Sequence, residues 1–187
     1  LLVCIVLFNI AQHSTHSTWT FFTIEKFDWT EKLVGYSLGF IGLLAAIVQG
    51  GLIRIIIPRF GNINSVYFGM LFYIIGLFLF SIASEGWMVF AFAIPLSLGG
   101  ISGPALQGIM TNKISDSEQG EFQGGMTSLV SLTAIIGPIL MTNLFSYFTS
   151  NESSIYLPGA PFILAAILSV IGLIIAIKTL SKSNVKY

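Results

Sequence analysis

Long stretches without a charged side chain are the feature that most constrains how this chain can fold. The charged residues fall in short clusters at 25–32, 54–59, 85, 113–121, 152 and 178–186. They make up only 9% of the sequence, whereas ordinary soluble domains contain about 25%. A soluble core does not have this pattern. Alternation of short charged clusters with long apolar stretches is typical of a polytopic membrane protein.

The apolar stretches predict the number of membrane crossings. A hydrocarbon core of about 30 Å requires roughly 20 helical residues per crossing. Six stretches have that length, namely about 1–24, 33–57, 65–84, 87–111, 123–148 and 159–179. None has the ten-residue alternating pattern of a membrane β-barrel. We therefore expect an all-α fold with six transmembrane helices. Because the sequence is already apolar at Leu1, we interpret it as a piece of a longer chain.

The distribution of basic residues predicts the orientation in the membrane. Six crossings place both ends on the same side. If that side is the cytoplasm, the inner segments hold Arg54, Arg59, Lys113, Lys178, Lys182 and Lys186, and the outer loops hold only Lys26 and Lys32. This positive-inside bias predicts cytoplasmic ends in the cell (inner) membrane. The formal net charge of zero and the lack of a basic face argue against a nucleic-acid partner.

Polar side chains predict which spans face water. The stretches 65–84 and 159–179 are almost entirely apolar in their middles, whereas the other four carry amides, imidazoles or hydroxyls. Polar groups inside a membrane usually face a bundle interior or a cavity. On the first span, polar residues recur at i, i+3, i+4, i+7 and i+11, which is one helical face. The candidates for a substrate or proton pathway are Asn9, Gln12, His13, His16, Thr20, Gln49, Gln107 and Ser131. The alternative is that these groups only hydrogen-bond neighbouring turns or helices.

A second group of residues is expected to bend or gate the helices. Proline within a membrane helix often introduces a kink, and glycines beside the cytoplasmic loop at 115–125 could form a hinge. A solvated loop whose acidic residues cap a helix is the alternative interpretation of that loop. The gating and bending candidates are Arg59, Gly61, Pro95, Pro104, Gly124 and Pro138.

Four ordered sequence blocks carry a resemblance to a known family. They are "SEGWMVF" at 84–90, "GGISGPALQG" at 99–108, "EQGEFQG" at 118–124 and "SLTAIIGP" at 131–138. Together they resemble the carboxyl-terminal half of the tetracycline-resistance drug/proton antiporters of the major facilitator superfamily. The order of polar, polar and apolar spans, repeated twice, is similar to the two inverted three-helix repeats of such a half.

The resemblance implies several properties of the chain. It implies helices seven to twelve of a twelve-helix exporter, with an amino-terminal six-helix half as partner and a drug-like molecule and protons as substrates. The residues themselves lead us to expect no cofactor, no metal and no enzymatic activity, since the spans contain neither a complete set of metal ligands nor a catalytic motif. Related proteins place a titratable pair where this chain has Ala45 and Tyr73, and no Asp or Glu lies in any predicted span. His13 is therefore a candidate for carrying the proton, with hydrogen bonding to substrate or water and simple packing as alternatives.

Two other classes of protein stay open as alternatives. A passive channel or a structural membrane subunit would also have six apolar spans. A metal-dependent membrane enzyme is less favoured, because His13 and His16 supply two ligands at most and metal sites need more. The transported compound, the coupling ion and its stoichiometry, and the oligomeric state cannot be inferred from these residues.

Overall fold

A computed structural model describes residues 1–115, 117–150 and 153–184, and the regular structure in this part of the chain is entirely helical. It contains five continuous helical runs: α1 Leu2–Phe27, α2 Glu31–Ile82, α3 Gly86–Thr111, α4 Gln119–Thr149 and α5 Ala160–Asn184. Two of these runs change their hydrogen-bonding pattern part-way. In α2 the segment Val48–Leu52 is π-helical, and in α3 the segment Gly99–Ile101 is 3₁₀-helical.

The expectation of six separate helices is wrong. The predicted spans 33–57 and 65–84 are joined in α2, and the described residues form five helices in total. The reason lies at Pro58–Gly61, in the stretch between these two predicted spans. Helical backbone continues on both sides, and only Gly61 departs from it, with φ 76° and ψ 161°. This region of backbone space is open essentially to glycine alone, so one residue replaces a whole loop.

The contacts of α3 show that α2 is a hairpin rather than a straight rod. A straight helix from Glu31 to Ile82 would be about 78 Å long at 1.5 Å per residue. A methyl group on Gly100 would lie 3.7 Å from Nε2 of Gln49, and one on Gly99 would lie 2.6 Å from Cβ of Tyr73. Gln49 and Tyr73 therefore lie at similar depth, although they are on opposite sides of Gly61. We refer to residues 31–60 as the first arm and residues 62–82 as the second arm.

Four of the five helices contain segments long and apolar enough to cross a membrane, in place of the six spans expected. These segments lie in α2, α3, α4 and α5. The described α1 does not meet the same criterion, because the polar stretch from Asn9 to Thr20 lowers its mean hydropathy. The arrangement as two inverted three-helix repeats remains a prediction.

The packing centre of the described residues lies around Phe80 of the second arm. Its ring is 5.1 Å from that of Trp19 in α1, 5.8 Å from Phe162 in α5 and 6.2 Å from Phe92 in α3. The second arm approaches α3 closely, since a methyl group on Gly76 would lie 2.7 Å from the backbone of Leu96. Its opposite face exposes an apolar stripe that is suited to lipid, formed by Phe68, Leu71, Ile75, Phe78 and Ile82.

Most buried hydroxyl groups are satisfied within their own helix. Ser14 donates to the carbonyl of Ala11 at 2.8 Å, and Ser102 donates to that of Gly99 at 2.7 Å. Thr133 of α4 does the same with Val130 at 2.7 Å. This is the ordinary behaviour of Ser and Thr in membrane helices. Such residues mark a functional surface only where this local bond is absent.

Candidate functional site

A cavity of about 440 Å³ lies between α1, the first arm of α2 and α3, with Tyr73 of the second arm at its base. The first arm contributes Leu38, Ile41, Ala45 and Gln49 to the wall. The side of α3 is formed by Leu96, Ser97, Gly99, Gly100, Gly103 and Pro104. Among the described residues, α4 contributes nothing to this cavity. From the sequence we expected the fifth predicted span, which lies in α4, to face the cavity, and the third, which lies in the second arm, to stay outside. In the structure the second arm lines the cavity through Tyr73, and α4 does not line it.

The wall formed by α1 is one continuous helical face. It consists of Phe8, Gln12, Thr15, His16, Trp19 and Thr20. Successive residues are four, three, one, three and one positions apart, as expected for neighbours on a helix surface. Three of the residues predicted for the pathway therefore line the cavity from α1: Gln12, His16 and Thr20.

The other two predicted residues of α1 point elsewhere. The side-chain amide of Asn9 donates to the carbonyl of Ile5 at 2.9 Å, so it is satisfied within its helix. His13 packs on α4, where a methyl group on Gly137 would lie only 2.3 Å from Cδ2 of the imidazole. The rings of His13 and His16 are 6.3 Å apart at 84°. One imidazole thus lies at a helix interface, while the other borders the cavity.

Irregular backbone forms the cavity where the first arm meets α3. Gln49 lies in the π-helical segment Val48–Leu52, and the 3₁₀ segment Gly99–Ile101 faces it. Single π-helical turns within α-helices occur frequently at functional sites. The amide of Gln49 lies next to Gly100, where a methyl group would make an ordinary contact of 3.7 Å with Nε2. Two helices therefore change their geometry at the same point, and both changes border the cavity.

Hydrogen bonding at the cavity wall divides the polar groups into two classes. The indole of Trp19 donates to Oγ of Ser37 at 2.9 Å, and Ser37 donates to the carbonyl of Val34 at 2.7 Å. In contrast, the hydroxyl groups of Tyr73 and Ser97 are buried without a hydrogen-bond partner among the described residues. Buried polar groups are normally paired, so these two are exceptions that require an explanation.

The remaining predicted pathway residues are spread over other surfaces. Gln49 is in the cavity, whereas Gln107 donates from Nε2 to Oε1 of Gln123 at 3.3 Å and so links α3 to α4. Ser131 is exposed on α4. The structure therefore brings Gln12, His16, Thr20 and Gln49 together.

The predicted gating and bending residues also have different locations. Pro104 is in the cavity wall, and Pro95 lies one turn before the 3₁₀ segment of α3. Gly61 makes the hairpin, and Arg59 is exposed just before it. In α4, Pro138 directly follows Gly137, and Gly124 faces open space.

The cavity wall carries little formal charge. No Asp, Glu, Lys or Arg is among its described lining residues, and His16 is the one imidazole among them. The described residues contain no group of three or more His, Cys, Asp or Glu side chains that could hold a metal ion. The cavity offers aromatic faces, amides and hydroxyls instead.

Sequence reasoning missed several cavity residues, on the polar face of the first span and on a segment that was expected to lie outside. Phe8, Thr15 and Trp19 share the face of Gln12 and His16, and extending the helical period to all residue types would have found them. Tyr73 gave a weaker signal. It is the one side chain with a hydroxyl group in the middle of an otherwise apolar segment.

Comparison with known proteins adds information on relatedness. No protein-family model matches the chain. The tetracycline resistance protein of class C from Escherichia coli is 33% identical over 150 residues, which is 80% of this chain. The class E protein from Escherichia coli is 36% identical over 78% of the chain, and the class G protein from Vibrio anguillarum is 37% identical over 68%.

The chain is a relative of the tetracycline resistance proteins. It spans 38%, 36% and 33% of the length of these three relatives, respectively. The sequence resemblance to that group is therefore established over most of this chain, but over only about a third of each relative.

Proposed function

We propose that this chain is the carboxyl-terminal half of a secondary active transporter that exports a drug-like small molecule in exchange for protons. The observation that carries the proposal is the cavity between α1, the first arm and α3. It has aromatic and amide walls, and it occurs in a relative of the tetracycline resistance proteins. Small-molecule sites are typically apolar cavities of about 300–1,000 Å³ with a few polar groups, and this cavity falls in that range.

The position of the cavity along the helices supports a transport site. Its α1 residues, from Phe8 to Thr20, occupy the middle of a helix that runs from Leu2 to Phe27. Substrate sites of secondary transporters lie near the membrane midplane, where helices are often interrupted. The π-helical and 3₁₀ segments are interruptions of this kind.

A second half completes the proposed substrate path. His16, Thr20 and Gln49 are exposed although they border the cavity, so the opposite wall is open. An amino-terminal six-helix half would close it, and rocking of one half against the other would give alternating access. We also propose an inner-membrane location with both ends of this segment in the cytoplasm, based on the positive-inside bias.

Proton coupling is assigned to the imidazoles of α1. His13 and His16 are the only side chains in the six predicted spans that ordinarily titrate near neutral pH. His13 at the α4 interface could couple protonation to helix packing, and His16 could couple it to the contents of the cavity. Replacing each by Gln in the full transporter separates the two roles.

We expect His16→Gln to weaken drug binding, and His13→Gln to remove the dependence of efflux on a proton gradient while binding is retained. Unchanged binding, efflux and proton dependence in both variants would contradict these assignments.

The decisive experiment uses protein made from the complete coding sequence and reconstituted in proteoliposomes. We expect uphill transport of tetracycline when a proton gradient is imposed, together with proton movement in the opposite direction. Residues 1–187 expressed alone serve as the control and are expected to give no transport. Downhill flux that ignores the proton gradient would instead indicate a channel. Proton-driven transport by residues 1–187 alone would contradict the assignment as one half.

A further inference from the structure

Two of the three buried hydroxyl groups that lack a hydrogen-bond partner in the described residues lie at the cavity wall. Tyr73 is only 5% exposed, and neither its phenol nor the hydroxyl of Ser97 has a hydrogen-bond partner in the described part of the chain. The hydroxyl of Thr15 lies near that of Tyr73, but its proton is donated to the carbonyl of Gln12 at 3.1 Å, so the Tyr73 oxygen accepts no hydrogen bond from it. Both Tyr73 and Ser97 line the cavity.

The ring of Tyr73 is held in a fixed position. The ring of Phe8 packs on it edge to face, with centroids 4.9 Å apart at 61°. On the other side, the α3 backbone approaches so closely that a methyl group on Gly99 would lie 2.7 Å from Cδ2 of the tyrosine. An aromatic ring confined in this way loses little freedom when its hydroxyl binds a ligand, which favours binding.

We propose that Tyr73 and Ser97 are hydrogen-bonding anchors for an aromatic ligand that carries no permanent charge. The inference rests on the proposed function and names the substrate class. An unpaired buried hydroxyl is unfavourable, so a ligand that pairs with it gains affinity. The aromatic rings of Phe8 and Trp19 favour a flat apolar ligand group. The described wall holds no Asp, Glu, Lys or Arg, which disfavours a ligand whose permanent charge needs a partner there.

The probe for this inference is chloramphenicol, an uncharged molecule with an aromatic ring, hydroxyl groups and an amide. Its binding to the purified protein from the complete coding sequence is measured at equilibrium, with ethidium, a permanent cation, for comparison. We expect Tyr73→Phe to weaken chloramphenicol binding about tenfold, because a hydrogen bond made in a buried site is lost. Ser97→Ala should weaken it less, and ethidium binding should be unaffected by either change.

Two matched variants control for effects on folding. Ser169→Ala removes the third buried hydroxyl that lacks a partner among the described residues, but Ser169 lies in α5, away from the cavity. Tyr67→Phe makes the same chemical change as Tyr73→Phe on the same arm, but outside the cavity wall. Both controls should bind chloramphenicol like the unmodified protein.

The outcomes separate this inference from the proposed function. Chloramphenicol affinity that is equal in Tyr73→Phe and the unmodified protein overturns the inference, as does absence of chloramphenicol binding to the unmodified protein. Stronger binding of ethidium than of chloramphenicol also overturns it. If Tyr73→Phe weakens chloramphenicol binding but the unmodified protein shows no proton-driven transport, the anchors stand and the transport proposal fails.

Discussion

The two arms of α2 are both apolar, yet they have opposite environments. On the second arm, a methyl group on Gly69 or Gly76 would lie 2.7 Å from the backbone of α3. On the first arm, the glycines at 35, 39, 42, 50 and 51 have nothing within 4 Å of such a methyl group. The second arm is therefore a packing element within this chain. The first arm leaves its small residues uncovered and borders the cavity.

This difference in packing extends along the length of both arms. Val34, Ser37 and Val48 are the buried residues of the first arm up to the end of its π-helical segment. The second arm buries residues along its length, from Ser65 to Ser81. An arm with few contacts can move against its surroundings at low cost, whereas a densely packed arm transmits force as a rigid unit.

The largest expected effect comes from adding a methyl group to the packed arm. Gly76→Ala should lower the free energy of unfolding by about 1–3 kcal/mol, because the new Cβ would force the second arm away from Leu96. Gly39→Ala on the first arm is the matched control. It should be neutral or stabilising by up to about 1 kcal/mol, because Ala is the better helix former. Thermal unfolding of the purified full-length protein measures both, and equal effects would contradict the contrast between the arms.

The next effect concerns the residue that joins the arms. Gly61→Ala should destabilise the protein by about 1–3 kcal/mol, because its φ of 76° and ψ of 161° are strained for any residue with a Cβ. Gly51→Ala is the control, since Gly51 has the same open surroundings without a positive φ. If unfolding temperatures show that Gly61→Ala is as stable as Gly51→Ala, the hairpin conformation at Gly61 is wrong.

A smaller effect is expected where the first arm is attached to α1. Ser37→Ala removes the acceptor for the buried indole of Trp19 and should cost about 1 kcal/mol. Ser81→Ala on the second arm is the matched control. Its hydroxyl donates to the carbonyl of Phe78 at 2.6 Å, and no side-chain donor to it is observed in the described residues. A larger loss of stability in Ser81→Ala than in Ser37→Ala would contradict this attachment.

The sequence was sufficient for the fold class but not for the turn in α2. Long uncharged stretches predicted helices because an apolar segment must satisfy its own backbone in a membrane. The join between the arms was not predictable, since Pro58 and Gly61 permit either a loop or a single-residue reversal. That choice depends on how closely α3 and both arms can pack, which is tertiary information.

The candidate site could be predicted only in part for a related reason. The helical period placed Gln12, His16 and Thr20 on one face, and they line the cavity. It also placed His13 near that face, but Gly137 of α4 leaves a space that the imidazole fills. A small rotation of α1 about its own axis decides whether the imidazole of His13 faces the cavity or the α4 interface. The packing of the neighbouring helices sets that rotation.

The most direct test of the contrast compares Leu38 of the first arm with Leu71 of the second. Both side chains are 48% exposed in this chain, but Leu38 lines the cavity and Leu71 lies on the apolar stripe. Leu38→Cys and Leu71→Cys are made separately in full-length protein without other cysteines and treated in membranes with a water-soluble maleimide. We expect rapid labelling of Leu38→Cys and little labelling of Leu71→Cys. Equal labelling at the two positions, or faster labelling of Leu71→Cys, would contradict it.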